Sequence, residues 1–176
     1  MNLRYRTNTI TQGKERKMTR KLEGRALAVS NAMKTRSDYL YYIVMEMDKA
    51  NVPKTDEILK RAIYKVGQSW AKMLGPVDSP RAFHDALFTE DLYQILQLEM
   101  QRDERDEIEL HFRSCPHVER WKEMNLDKAM IKRLCDIACR VDYGNVESCG
   151  LNLQMETRLG KGDDRCILVI SKKDKQ

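Results

Sequence analysis

The chain has 176 residues, 41% hydrophobic and 34% charged, enough apolar material for one core but too polar for a membrane protein. No apolar run nears the roughly 20 residues a bilayer span requires, and the basic N-terminal residues lead into no apolar segment of a secretory signal. Eight glycines and four prolines are about half the usual share, which points to a helix-rich chain and excludes collagen-like, disulfide-knotted and wholly disordered classes.

The net charge of +5 is unevenly placed. Residues 1–36 carry ten Lys and Arg against Glu15 and Glu23, a balance of +8, leaving −3 for the rest. The basic character therefore belongs to an N-terminal arm, residues 1–19, ahead of a single domain over 20–176. Such an arm can touch anionic surfaces or clasp a second copy in a homo-oligomer. No aromatic-interleaved basic groove or recognised motif follows it, so nucleic acid is not an expected partner. A small-molecule substrate is, and a membrane is not.

Residues 1–16 have no apolar periodicity and read as disordered or extended. Leu22, Ala26, Leu27, Val29 and Met33 predict a helix over about 20–33, and Ser37-Asp38 can cap a second, buried one over 38–50. Thr55 can cap the next, where Leu59, Ala62, Ile63, Val66, Trp70, Met73 and Leu74 recur at spacings of three and four until Gly75-Pro76. Ser79-Pro80 starts another, which breaks near Thr89 and resumes through Leu98. From about Asp106 the period changes to two, with Ile108, Leu110 and Phe112 alternating with polar residues, including His111. A short helix from Pro116 and a longer one from Asp127 to about Val141 follow, then a loop over 144–150. Leu151–Glu156 alternates again, and Cys166–Ile170 is a final apolar run after a Gly-rich connection, together an antiparallel hairpin. The fold class is α+β: a helical N-terminal half, then strand–helix–helix–strand–strand with a small antiparallel sheet.

All five cysteines lie between Cys115 and Cys166. An odd count without a signal segment points to reduced thiols in the cytoplasm. Cys115 precedes Pro116 at a strand–helix junction, so it is the N-cap, where free N–H groups and the helix dipole favour a thiolate. With His117 beside it, Cys115 reads either as a nucleophile or metal ligand, or as a cysteine replacing serine at a cap. Cys135 lies on the Ile131, Leu134, Ala138, Val141 stripe and reads as core, while Cys139 borders it, with Asp142 three residues on. The C-x₃-C spacing is wider than the usual zinc knuckle. Cys149 reads as a loop thiol. His84 and His111 read as surface or satisfied histidines, and the parity of Cys166 leaves its facing open. No organic cofactor motif is present, which leaves a cysteine-bound metal as the cofactor to consider.

The pattern Cys115-Pro116, Trp121, Cys135, Cys139 with Asp142, then Thr157, Gly160, Asp163, Asp164 and Cys166 resembles the L-2-amino-thiazoline-4-carboxylic acid hydrolase-like family over roughly residues 105–171. The resemblance implies an α+β domain and hydrolytic opening of a thiazoline ring. Lys161 and Arg165 depart from the pattern and bear on the substrate more than on the fold. The expected activity is a hydrolase opening a C–N bond of a small heterocycle, thiazoline-, amidine- or cyclic amide-like. Cys115 would be the nucleophile, His117 or Asp142 would move protons, and Cys139 and Cys166 would complete the site. The alternative is a non-catalytic or metal-holding cysteine-rich binding module. The topology brings Cys115, Cys139 and Cys166 around one cleft, with Asp142 at its rim, only if the 106–113 strand and the last strand are close in the sheet.

Overall fold

A computed structural model describes residues 21–173; the basic arm over 1–19 lies outside the described residues. These residues form an α+β fold in which the first helices precede a four-stranded antiparallel sheet. Helix α1, Gly24–Lys49, is continuous where the sequence suggested a break at Ser37-Asp38. Its buried residues, Ala26, Ser30, Ser37, Leu40 and Val44, recur at multiples of about one turn and make a single stripe. Ser37 joins that stripe by donating its hydroxyl to the Met33 carbonyl at 3.0 Å, the local bond that lets serine sit inside a helix.

Helices α2 (Thr55–Ala71), α3 (Pro80–Leu87) and α4 (Glu90–Leu96) follow. Lys54, in the left-handed region at φ 59°, caps α2 in place of the expected Thr55, which donates to the Val52 carbonyl. Ser79 caps α3 as its sequence implies, accepting from the Ala82 amide at 3.1 Å. Strand β1 (Leu98–Asp103), read from sequence as the end of a helix, is the edge of the sheet. Gln97 at φ 46° breaks the chain out of α4 and starts it.

Strand β2 (Glu107–Phe112) leads into α5 (Pro116–Glu123), α6 (Lys128–Ala138) and α7 (Arg140–Ser148). The last replaces the predicted loop, with Cys139 hinging α6 to α7. Strands β3 (Leu151–Met155) and β4 (Cys166–Lys172) close the sheet in the order β1-β2-β4-β3. The 106–113 strand and the last strand are therefore neighbours, with Phe112 opposite Cys166 and Leu110 opposite Leu168.

Two hydrophobic clusters result. One joins the inner face of the sheet, including Ile108, Leu110, Leu168 and Ile170, to α1, α3 and α4. The other joins Leu40 and Val44 of α1 to Trp121, Ile131, Leu134 and Ile137 of α5 and α6. Trp121 is 1% exposed and donates its indole N–H to the Ser37 carbonyl, so burial and hydrogen bonding are satisfied together.

Helices α2 and α7 cross at glycines. A Cβ added at Gly67 would lie 2.0 Å from the Val141 carbonyl oxygen, and one at Gly144 would lie 2.0 Å from that of Tyr64. Both contacts are with backbone, so relief requires the helices to part. In an uncrowded helix, Gly→Ala stabilises by about 1 kcal/mol. Here Gly67→Ala and Gly144→Ala should each destabilise by roughly 1–3 kcal/mol or more, the cost of overpacking. A lower urea midpoint in each variant is the expected result; an unchanged or higher one would show that the crossing has slack.

Candidate functional site

Cys115, His117, Cys139, Asp142 and Cys166, the five candidates from sequence, all line one cavity of about 180 Å³ at the seam between the two clusters. Cys135 lines it too. The sheet-side wall includes Phe88, Leu92, Phe112 and Leu168, and the opposite wall is Val118, Trp121 and Ala138.

Each polar side chain is carried there by an identifiable local structure. The amides of Arg113 and Ser114 both donate to the Leu96 carbonyl at 3.0 Å, fixing the corner at which Cys115 ends the β2 segment and begins α5. Pro116 occupies the first helical position and Cys115 is the N-cap, as its sequence implies. The predicted consequence does not follow. The Val118 and His117 amides do favour the thiolate, but burial outweighs them and pushes the Cys115 thiol up to about 12. Cys115 is thus a protonated thiol at neutral pH, not an activated thiolate.

His117 Nδ1 lies 2.7 Å from Ser37 Oγ. The one hydroxyl proton of Ser37 goes to the Met33 carbonyl, so Oγ accepts from Nδ1–H. That fixes the tautomer and leaves Nε2 with a lone pair. Burial, helped by the charge of Arg36, lowers the imidazole to about 4 and keeps it neutral. Its ring stacks near Trp121, centroids 6.0 Å apart.

Asp142 lies in the first turn of α7, where a helix dipole favours a carboxylate. Burial wins again and pushes the carboxyl up to about 7. Cys139 and Cys166 line the same cavity, and the Asp142 carboxyl adds to the burial that raises both thiols. Cys166 shares the parity of Leu168 and Ile170, settling its facing toward the helices. Its sulfur accepts the Leu159 amide at 3.3 Å, while burial holds the thiol at about 11.

Cys135 is more than core. Its sulfur is 3.7 Å from that of Cys139, and sharing a proton favours the thiolate at Cys135 and the thiol at Cys139. The positive charge of Arg158, paired with Asp136 at 2.8 Å, and a backbone N–H of Gly160 also favour that thiolate. A Cβ at Gly160 would fall 2.4 Å from the Cys135 Cβ, so only glycine lets the 3₁₀ turn Leu159–Lys161 lie on the sulfur. The connection that presents this turn is tied by Thr157 Oγ1 to the Arg165 carbonyl and by the Arg158 amide to Asp163.

The remaining cysteine and histidines lie elsewhere. Cys149 lies just past α7, away from this cavity. His84 is buried between Tyr93 and Asp85, satisfied as expected. His111 is buried despite its polar parity, with Nε2 2.7 Å from Glu109 and Nδ1 without a partner. Among the described residues, no group of three or more His, Cys, Asp or Glu side chains is placed to hold a metal ion.

The model of the L-2-amino-thiazoline-4-carboxylic acid hydrolase family matches residues 31–169. The chain belongs to that family. The match takes in every side chain of the cavity and begins within α1. No curated protein matches the chain. A solved structure that it resembles is a trafficking protein particle complex subunit 3 from Naegleria fowleri, covalently bound to palmitic acid. The TM-score is 0.55 at 14% identity, covering 81% of this chain and 96% of that one, a likeness of fold. Among the described residues no helix is long and apolar enough to cross a membrane.

The raised Asp142 carboxyl has a signed effect on stability. The unfolded chain ionises this group near pH 4, whereas the folded chain keeps its proton to about 7. Stability from the neutral carboxyl is full below about pH 4 and is lost as pH rises to about 7. His117 acts in the opposite sense, its contribution being lost as pH falls from 6.5 to about 4. Comparing Asp142→Asn with the wild type cancels the histidine. The stability advantage of the variant should grow between pH 4 and 7 and then level off; a pH-independent difference would show that Asp142 titrates normally.

Proposed function

We propose that the protein is a cysteine-dependent hydrolase that opens the ring of a small C–N heterocycle, thiazoline-, amidine- or cyclic amide-like, in this cavity. The observation that carries the reading is the meeting of Cys115, His117, Cys139, Asp142 and Cys166 in one enclosed, mostly apolar space. At about 180 Å³ the cavity has room for a small five-membered heterocycle.

A thiol held at about 12 needs a base when substrate binds. Asp142, poised at about 7, has the pKa best matched to neutral pH and is present in both protonation states. Its carboxylate takes the Cys115 proton, relayed by a water in the cavity, as Sγ adds to the electrophilic ring carbon. A ring bond from that carbon then breaks, and the departing heteroatom takes the proton back from Asp142. Water adds to the enzyme-bound carbon and Cys115 leaves as the thiol. Neutral His117, locked by Ser37, offers Nε2 as a hydrogen-bond acceptor that orients the substrate or water. Cys139 and Cys166 line the pocket beside the nucleophile and the base. The chemistry calls for reduced thiols and therefore for a reducing, cytoplasmic setting.

L-2-amino-thiazoline-4-carboxylate is the substrate to test first, with product detected by mass spectrometry as a species one water heavier. Cys115→Ala should abolish turnover, and Asp142→Asn should reduce it by about 10² or more. In the wild type, kcat/KM should rise to a plateau above about pH 7 as Asp142 ionises. Full turnover in Cys115→Ala would contradict the nucleophilic role.

A further inference from the structure

We infer that Arg36 anchors the carboxylate of the substrate at the mouth of this cavity, so that the site selects small heterocyclic acids over neutral rings of the same shape. The inference rests on the hydrolase reading of the cavity and adds to it the group that holds the substrate.

Three observations converge on Arg36. It lines the cavity, the only arginine or lysine side chain among the lining residues described. Its guanidinium carbon lies over the Trp70 ring, 5.5 Å from the centroid, a cation–π contact that holds the charge at this wall. Its charge reaches His117, where it helps to hold the imidazole neutral.

Arg36 is also short of a partner. Arg120 pairs with Asp38, Arg133 with Asp48 and Asp56, and Arg158 with Asp136, whereas no carboxylate among the described residues pairs with Arg36. A guanidinium over an aromatic face, with no carboxylate partner among the described residues, is suited to bidentate recognition of a carboxylate. Its position matters as much as its charge. Arg36 is exposed, whereas Cys115 and Asp142 are half-buried. An anionic group carried deep into the cavity would lose its hydration and face the carboxyl of Asp142. At the mouth it keeps part of its solvation and gains a cation. A ring bearing a carboxylate would therefore enter ring first, placing its electrophilic carbon toward Cys115.

Calorimetric binding in a Cys115→Ala background tests this without turnover, using L-2-amino-thiazoline-4-carboxylate and its uncharged carboxamide as paired probes. Arg36→Gln should weaken the acid at least tenfold, about 1.4 kcal/mol, and change the carboxamide less than twofold. Arg36→Lys should fall between, because a point charge replaces a planar fork. Unchanged folding of the variants is checked by their thermal midpoints. Equal losses for acid and carboxamide, no loss for either, or no binding of the acid at all would overturn the anchor. If the acid binds through Arg36 but the wild type never opens its ring, the hydrolase reading fails and the anchor stands. If the ring opens with Arg36→Gln and KM is unchanged, the reverse holds.

Discussion

Partial burial of ionisable groups at a seam between two hydrophobic clusters sets the protonation of the candidate site. The same desolvation raises the thiols of Cys115 and Cys166, suppresses the basicity of His117 and brings the carboxyl of Asp142 to neutrality. Local features that favour charge, an N-cap for Cys115 and a helix N-terminal turn for Asp142, are present and are outweighed. In the proposed hydrolase the nucleophile therefore rests protonated, and the acid–base group is the carboxylate, not the histidine. That division of labour follows from placement alone, since a surface aspartate would be fully ionised at pH 7.

The seam persists because helices and turns approach one another through glycine. Gly67 and Gly144 let α2 and α7 touch backbone to backbone, which sets the position of Val141 and Asp142 at the cavity wall. Gly160 lays the 3₁₀ turn on Cys135 and brings the charge of Arg158 to the Cys135–Cys139 pair. Around these contacts the packing is dense, and truncating a residue such as Trp121 would cost about 3–5 kcal/mol. Polar groups inside so tight a frame have few ways to rearrange.

Much of this was legible in the sequence, and the failures have physical causes. The period-two run at 107–112, the Cys115-Pro116 junction and the final hairpin were readable because alternation and proline are strong local signals. The clustering of cysteines pointed to one cleft, and β2 beside β4 supplies it. Strand β1 was hidden because Leu98 continues the helical spacing of α4, and only the left-handed Gln97 breaks it. Helix α7 was hidden by Gly144, which reads as a loop signal but serves a helix crossing. Ser37 was read as the cap of a second helix and Arg36 entered only the charge count; the apolar stripe of α1, followed across Ser37, would have placed both within one helix. The Cys115 thiolate failed for a different reason: capping geometry is local, whereas desolvation depends on the whole fold.

The nucleophilic role of Cys115 is tested most directly by rapid acid quench of wild-type protein mixed with L-2-amino-thiazoline-4-carboxylate, followed by peptide mass mapping. A covalent adduct on the Cys115 peptide that forms before product and decays as product appears is the predicted result. Ring opening with no adduct on any cysteine, or an adduct confined to Cys135 or Cys166, would contradict it.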